Sequence, residues 1–219
     1  VGIGYRSRKA DAVETVAALT ALGAQAWAEA GDLADAGDAA RLFHRADEEF
    51  GGLDIFVGNA GIWIPRDVPI AEMDEAQWRS TVEANLDSIF FTTREAARRV
   101  REGGRIVLVS STAGQRGEAF HADYAATKGA IISMVKGLCM EMAPRGVTVN
   151  AVAPGWVDTE MARPAFDGGK REAIAEAIPI GRIPPAEDIA GPILFLCSPL
   201  ARHITGEILN VNGGAVLVG

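Results

Sequence analysis

Residues 105–114 read RIVLVSSTAG, a strongly apolar stretch that ends in two serines. A run of this length, rich in Val and Ile and followed by small polar residues, is typical of a buried strand. Similar stretches recur along the chain and alternate with segments that have the apolar spacing of helices. The predicted strands are Val1–Tyr5, Ala24–Glu29, Leu53–Val57, Arg105–Val109, Val147–Val152 and Glu207–Val211. The predicted helices are Ala10–Leu22, Asp35–Phe50, Asp74–Val100, Asp123–Pro144 and Glu187–Leu196. Strict alternation indicates an α/β fold, a doubly wound parallel sheet with helices on both faces.

The chain of 219 residues fits one domain, residues 1–219. Its one long stretch without a regular pattern runs from Pro154 to about Pro185. Loops of this length in a compact domain are usually functional, so we expect residues 159–180 to form a lid over the substrate.

Composition and charge exclude several classes of protein. Hydrophobic residues make up 48% and charged residues 23%, which is ordinary for a globular protein. The net charge of −8 argues against nucleic acid as a partner. No apolar run of 18 residues and no signal peptide are present, so we expect a cytoplasmic protein that makes no membrane contact. Cys139 and Cys197 are expected to be buried thiols, and the three histidines lack the spacing of metal ligands.

Tyr124 and Lys128 lie four residues apart in the predicted helix 123–144 and therefore share one face of it. A cation beside a phenol favours the phenolate, so the pair predicts a tyrosine with a lowered pKa that exchanges protons near neutral pH. The alternative is a half-buried tyrosine beside a lysine whose stem covers apolar surface.

Small and polar residues follow three of the predicted strands, at the sheet edge where ligands bind in open α/β folds. They are Asn59-Ala60-Gly61, Ser110-Ser111 and Pro154-Gly155. Ser111 is placed to hydrogen-bond a substrate oxygen, whereas Ser110 is interpreted as a helix cap or turn residue. Asn85 lies at the edge of an apolar helix stripe, where a buried amide most simply ties two backbone segments together.

Five motifs together resemble those of the short-chain dehydrogenase/reductase family: N-A-G at 59–61, Asn85, S-S-x-x-G at 110–114, Y-x-x-x-K at 124–128 and P-G-x-V-x-T at 154–159. The resemblance extends over the whole chain and is greatest to compact bacterial members such as β-ketoacyl-carrier-protein reductases and glucose-type dehydrogenases. It implies a Rossmann-like fold and hydride transfer between a nicotinamide cofactor and a carbonyl or secondary alcohol substrate.

The resemblance also implies a role for each matching residue. Tyr124 is expected to be the general acid, with Lys128 lowering its pKa and holding the nicotinamide ribose. Ser111 is expected to bind the substrate oxygen, and Asn85 to hold a water that links Lys128 to solvent. The cofactor contacts that it implies are Asn59, Ala60 and Gly61 at the ribose, Pro154, Gly155, Val157 and Thr159 at the carboxamide and pyrophosphate, and Asp32 with Leu33 at the adenine edge.

The first ten residues, VGIGYRSRKA, contain two glycines but do not match G-x-G-x-x-G, because Ser7 stands where the third glycine belongs. By the resemblance they correspond to the family's second strand and the turn after it. An acidic residue in that turn favours NAD, whereas an arginine accommodates the phosphate of NADP. Arg6 and Ser7 occupy the turn, so we expect NADP(H) rather than NAD(H). A solvated basic turn is the alternative.

The family's T-G-x-x-x-G-x-G loop has no counterpart in this sequence. We therefore expect the sheet to lack its first βα unit, so that Val1–Tyr5 does not pair directly with Leu53–Val57. Two alternatives to an active reductase stay open. One is a non-catalytic dinucleotide-binding module that senses redox state, and the other is an inactive truncated reductase.

The predicted helices 74–100 and 123–144 carry apolar residues on more than one face, namely Phe90, Phe91, Met134, Leu138 and Met140. An exposed apolar patch of this kind marks an interface. Together with the resemblance, it predicts a homotetramer.

Overall fold

The computed structural model describes residues 1–218 and confirms the α/β fold with parallel strands. The strands are β1 (Gly2–Tyr5), β2 (Trp27–Ala30), β3 (Leu53–Gly58), β4 (Val100–Val109), β5 (Thr148–Pro154) and β6 (Ile208–Val211). The helices are α1 (Lys9–Ala21), α2 (Ala36–Phe50), α3 (Glu75–Val82), α4 (Ser88–Arg99), α5 (Thr112–Arg116), α6 (Ala122–Met142), α7 (Arg163–Phe166), α8 (Lys170–Ala177) and α9 (Glu187–Cys197).

The strands form two separate sheets. One contains β1 and β2, and the other has the order β3-β4-β5-β6. Every adjacent pair is parallel. Over residues 1–218, β1 is hydrogen-bonded to β2 but not to β3. The sequence predicted this break, since a parallel sheet of this class needs a further strand between the two.

Two apolar clusters cover the two faces of the four-stranded sheet. Because side chains alternate along a strand, Ile106 and Leu108 of β4 point to one face and Val107 to the other. The first face packs against α4 and α6 through Ile89, Ile131 and Val135, and the second against α9 through Ile189 and Leu196. Full burial of one such side chain stabilises the fold by roughly 1.5–3 kcal/mol, so this sheet is the well-packed body of the protein.

Apolar side chains beside the break are poorly covered. Ile55 and Val57 share one face of β3 and are 46% and 38% exposed. Helix α1 buries only Ala12, and Val13 on it is exposed. The β1–α1–β2 unit therefore has little of the packing that holds the larger sheet.

The predicted helix 74–100 is divided in the structure. Helix α3 passes into a π-helical turn, Glu83–Asp87, before α4 begins. Val100, which was predicted to end the helix, instead begins β4 and pairs with Leu53. Strand β4 starts five positions before the predicted Arg105, because a register shift between Leu53 and Ile55 accommodates the glycines that hid the strand in the sequence.

The segment 154–185 is less irregular than its prolines and glycines indicated. It contains α7 and α8, with Ala162, Phe166 and Ile178 buried. Helix α8 buries none of its own residues, so it has no apolar stripe from which the sequence could predict it. Helix α5 was also missed, since five residues are too few for a periodic pattern.

Cys139 is buried and Cys197 is only half-buried, and both are free thiols as expected. Among residues 1–218, none of the helices combines the length and the apolar character that crossing a bilayer requires.

We expect amide hydrogen exchange of the 219-residue chain to be at least about a hundredfold slower in β4 and β5 than in β1 and β2, because local opening is easiest where few apolar contacts must break. Hydrogen exchange followed by mass spectrometry measures these rates. Strand β6 is the internal control, because it is the edge strand of the four-stranded sheet that lies away from the break. Equal protection in β1 and β5 would contradict the account of the break.

Candidate active site

The carboxyl ends of β3, β4 and β5 open into one cavity of about 680 Å³. Parallel strands bring the residues that follow them to one edge of the sheet, which is why distant motifs meet here. The expected residues that line it are Asn59, Ala60, Gly61, Ser110, Ser111, Tyr124, Lys128, Pro154, Gly155, Val157 and Thr159.

Lys128 is almost completely buried at the wall of this cavity, with 4% of its surface exposed. Its Nζ donates a hydrogen bond of 2.9 Å to the carbonyl oxygen of Val109 and lies 5.8 Å from the centre of the Tyr124 ring. An ammonium group has three protons to donate. Within residues 1–218, Nζ makes one hydrogen bond, so its other protons can be donated to a ligand in the cavity.

Two contacts hold the backbone of α6 at Lys128. Ser110 Oγ donates to the Lys128 carbonyl oxygen at 2.8 Å, beside the end of β4. Gly114 of α5 packs directly on the same peptide, since a Cβ atom there would lie 2.5 Å from the Lys128 carbonyl carbon. Only glycine permits this approach of the two helices, which explains the glycine of the S-S-x-x-G motif.

The structure corrects the role expected for Ser110 and adds a structural one for Ser111. Ser110 is not a cap, because its hydroxyl binds the Lys128 carbonyl. Ser111 is the N-cap of α5, and its Oγ accepts from the backbone N–H of Ala113 at 3.1 Å. Its hydroxyl also lies beside the Tyr124 side chain, and both residues line the cavity.

Burial raises the pKa of Tyr124 to about 12, while the hydrogen bond with Ser111 acts in the opposite direction. The expectation that the Tyr124 pKa is lowered is therefore wrong for the protein alone. The physical reason is that both groups are buried, and burial also lowers the pKa of Lys128 to about 8. Tyr124 is thus a neutral phenol at physiological pH, the form that can give a proton to a carbonyl oxygen.

Asn85 is fully buried in the π-helical turn 83–87. Its Oδ1 accepts from the Ile62 N–H at 2.6 Å, and its Nδ2 donates to the Ile62 carbonyl at 2.9 Å. A weaker contact of Nδ2 reaches Thr127 Oγ1 on α6 at 3.3 Å. The amide therefore ties the loop after β3 to α6, as its burial alone indicated. π-turns often occur at functional sites.

The expected cofactor contacts fall into two groups. Arg6, Ser7, Asp32 and Leu33 follow β1 and β2 in the smaller sheet and do not line the cavity at Lys128. Arg6 and Asp32 face each other, with 3.7 Å between the guanidinium and the carboxylate. Arg8 forms ion pairs with Asp11 and with Glu160, so it links the start of α1 to the segment after β5.

A nicotinamide and its ribose fit the cavity. Lys128 offers free ammonium protons there, and Gly61 brings the backbone close, since a Cβ atom on it would lie 3.4 Å from Nζ. The diphosphate does not fit in the same way, because residues 1–218 place no glycine-rich loop at the break between β1 and β3.

Sequence reasoning missed an aromatic group in the cavity wall. Trp63 and Trp156 line the cavity and pack on each other, and Phe166 packs on Trp156. Glu118 lines the cavity beside Trp63. Trp63 and Trp156 each stand directly beside a recognised motif, after N-A-G-I and after P-G, which is the signal that could have identified them.

Known proteins match the chain over most of its length. A family model described as Enoyl-(Acyl carrier protein) reductase matches residues 1–216. The 3-oxoacyl-acyl-carrier-protein reductase FabG of Vibrio cholerae is 43% identical over 173 residues, 78% of this chain and 70% of that protein. FabG of Staphylococcus aureus strain Mu50 is 34% identical over 216 residues, 98% of this chain and 87% of that protein. A short chain dehydrogenase from Burkholderia cenocepacia, solved in complex with NADP, superposes with a TM-score of 0.90 at 36% identity, covering 98% of this chain and 86% of its own.

The chain belongs to the short-chain dehydrogenase/reductase family and is an oxidoreductase of the class that acts on alcohol and carbonyl groups.

The pKa of Lys128 predicts how stability depends on pH. Its pKa is about 8 in the folded protein and 10.5 as the ordinary value, so between these pH values the unfolded state binds more protons and the free energy of unfolding rises with pH. We expect the free energy of unfolding of wild type, relative to that of Lys128→Met, to rise by up to about 3 kcal/mol from pH 8 to 10.5. One unit of pKa difference is worth about 1.4 kcal/mol.

Urea unfolding of both proteins across this pH range makes the measurement, and Lys136→Met on the same helix is the matched control. A difference between wild type and Lys128→Met that does not change with pH would show that Lys128 titrates normally.

Proposed function

We propose that the chain transfers a hydride between NADP(H) and a carbonyl or secondary alcohol substrate, with Tyr124 as general acid and base. The observation that carries the proposal is the neutral Tyr124 phenol beside the buried Lys128 ammonium, at the strand edge where this fold binds ligands. The names of the FabG relatives support a carbonyl substrate.

When bound, the nicotinamide cofactor supplies the hydride, and the chain supplies orientation and the proton. The Ser111 hydroxyl and the Tyr124 phenol are placed together, so both can hydrogen-bond one substrate oxygen. Tyr124 gives its proton to that oxygen as negative charge develops on it during reduction. In alcohol oxidation the phenolate takes the proton back, and its raised pKa makes this direction favourable only at higher pH.

Lys128 then has two tasks. Its ammonium protons not used by Val109 hold the ribose hydroxyls, and its charge stabilises the phenolate once Tyr124 has lost its proton. Asn85 fixes the loop at Ile62 that faces these groups, and a water beside it would return a proton to Lys128 from solvent.

We further propose NADP(H) rather than NAD(H). Arg6 is exposed just after β1, where its guanidinium can form a bidentate ion pair with a phosphate. The ion pair with Asp32 is long and exposed, so it competes weakly with a phosphate. A neighbouring structure in complex with NADP supports the choice. The Kd of NADPH, measured for wild type and Arg6→Ala, tests this cofactor preference. We expect the Kd to rise in Arg6→Ala, and an unchanged Kd would contradict the proposal.

We also propose a homotetramer. Phe90 of α4 and Met140 of α6 are 46% and 73% exposed, as an apolar interface requires. Met134 and Leu138, in contrast, pack on the core and do not add to that patch. A mass four times that of the chain by light scattering supports the proposal, and a monomer refutes it.

Tyr124→Phe keeps the ring and removes the acid. We expect it to lower turnover at least about a hundredfold, the low end for general acid catalysis. Tyr5→Phe is the matched control, because Tyr5 is the other tyrosine of the chain and lies in β1. The measurement is the rate of NADPH oxidation with a panel of ketones.

Near-normal turnover by Tyr124→Phe would remove Tyr124 from the mechanism. A wild-type chain that binds no NADPH in a calorimetric titration would instead favour the inactive reductase, which the break in the sheet makes a definite second candidate.

A further inference from the structure

An aromatic wall, defined as Trp63, Trp156 and Phe166, stands at the cavity. Trp63 and Trp156 line the cavity, and Phe166 packs against Trp156. The ring centroids of Trp63 and Trp156 lie 5.7 Å apart at an interplanar angle of 89°, and those of Trp156 and Phe166 lie 5.8 Å apart at 64°. The three side chains come from the loop after β3, the loop after β5 and helix α7. They are therefore not one helix stripe that simply faces the core.

Trp63 is held in place from two sides. The buried ring of His121 stacks on it with 4.9 Å between centroids and an interplanar angle of 24°. The carboxylate of Glu118 lies beside the Trp63 indole and lines the same cavity. The loop that carries Glu118 and His121 is itself tied down, because the Val68 N–H donates to the Phe120 carbonyl at 3.0 Å.

The wall lies next to the chemistry. Trp63 and Trp156 line the same cavity as Ser111 and Tyr124. Glu118, which lies beside Trp63, is near enough to Tyr124 for its charge to oppose ionisation of the phenol. A substrate whose oxygen reaches Tyr124 therefore shares its cavity with both indole rings.

We propose that this site binds and reduces ketones that carry a planar aromatic ring on the carbonyl carbon or on the carbon beside it. The ring packs on Trp63 and Trp156. This inference rests on the proposed reductase function. A planar ring that stacks on one of two perpendicular indoles meets the other edge to face, and both arrangements are favourable. A flexible acyl chain gains only buried area from the same wall and loses rotational freedom when it is ordered there.

The experiment compares two β-keto esters that differ only at the group beside the ketone, ethyl benzoylacetate and ethyl acetoacetate. With NADPH, we expect kcat/KM to be at least about tenfold higher for the phenyl compound, the size of one good aromatic contact together with its buried area. Trp63→Leu should remove most of this ratio. Trp78→Leu, on α3 and 39% exposed, should leave the ratio as in wild type.

A ratio near or below one, or a ratio that Trp63→Leu leaves unchanged, would overturn the inference while the reductase function stands. If neither ester is reduced, the proposed function fails, and binding decides the inference. Calorimetric titration of the protein with ethyl benzoylacetate should then show saturable binding in wild type and Trp78→Leu and none in Trp63→Leu. No binding to wild type, or equal binding to Trp63→Leu, overturns it.

Discussion

The burial of the Lys128 ammonium is the constraint on which the rest of the site depends. Taking a lysine charge out of water costs several kcal/mol after relaxation, and here one carbonyl, that of Val109, offsets part of this cost. The end of β4, the bond from Ser110 and the close approach of Gly114 all serve to hold that lysine where it is. A buried cation with unused protons beside a neutral phenol adds little to stability, and on the proposed function it serves binding and proton transfer.

Much of this could be predicted from the sequence, because apolar strands, their polar ends and the spacing of Tyr124 and Lys128 are local features. What could not be predicted depends on tertiary contacts. The π-helical turn at Asn85 was not apparent from the apolar spacing, since Thr81 and Asn85 are buried there while Trp78 is 39% exposed. The glycines of β4 disguise a strand that pairs from Val100 onward. The direction of the Tyr124 pKa shift was wrong because residue spacing reports a neighbouring charge but not how deeply both groups are buried.

On the proposed function, the break between β1 and β3 separates the residues for proton transfer from those at the adenine end of the cofactor. The residues for proton transfer and the nicotinamide end lie on the four-stranded sheet, which is well packed on both faces. Arg6 and Asp32, at the adenine end, lie on the two-stranded sheet, whose helix α1 buries a single alanine. Arg8 and Glu160 form an ion pair between the two parts. On the proposed function, the chemistry is carried by the well-packed four-stranded sheet, and cofactor affinity depends on the smaller sheet.

The most direct test of the central claim follows the hydride itself. The protein is incubated with NADPH that carries deuterium on the transferable position of C4, together with a ketone, after calorimetry has verified that the cofactor is bound. We expect the product alcohol, analysed by mass spectrometry, to carry one deuterium on its carbinol carbon in wild type and almost none to form with Tyr124→Phe. If wild type binds the cofactor but forms no deuterated alcohol, the assignment of this site as a carbonyl reductase is contradicted.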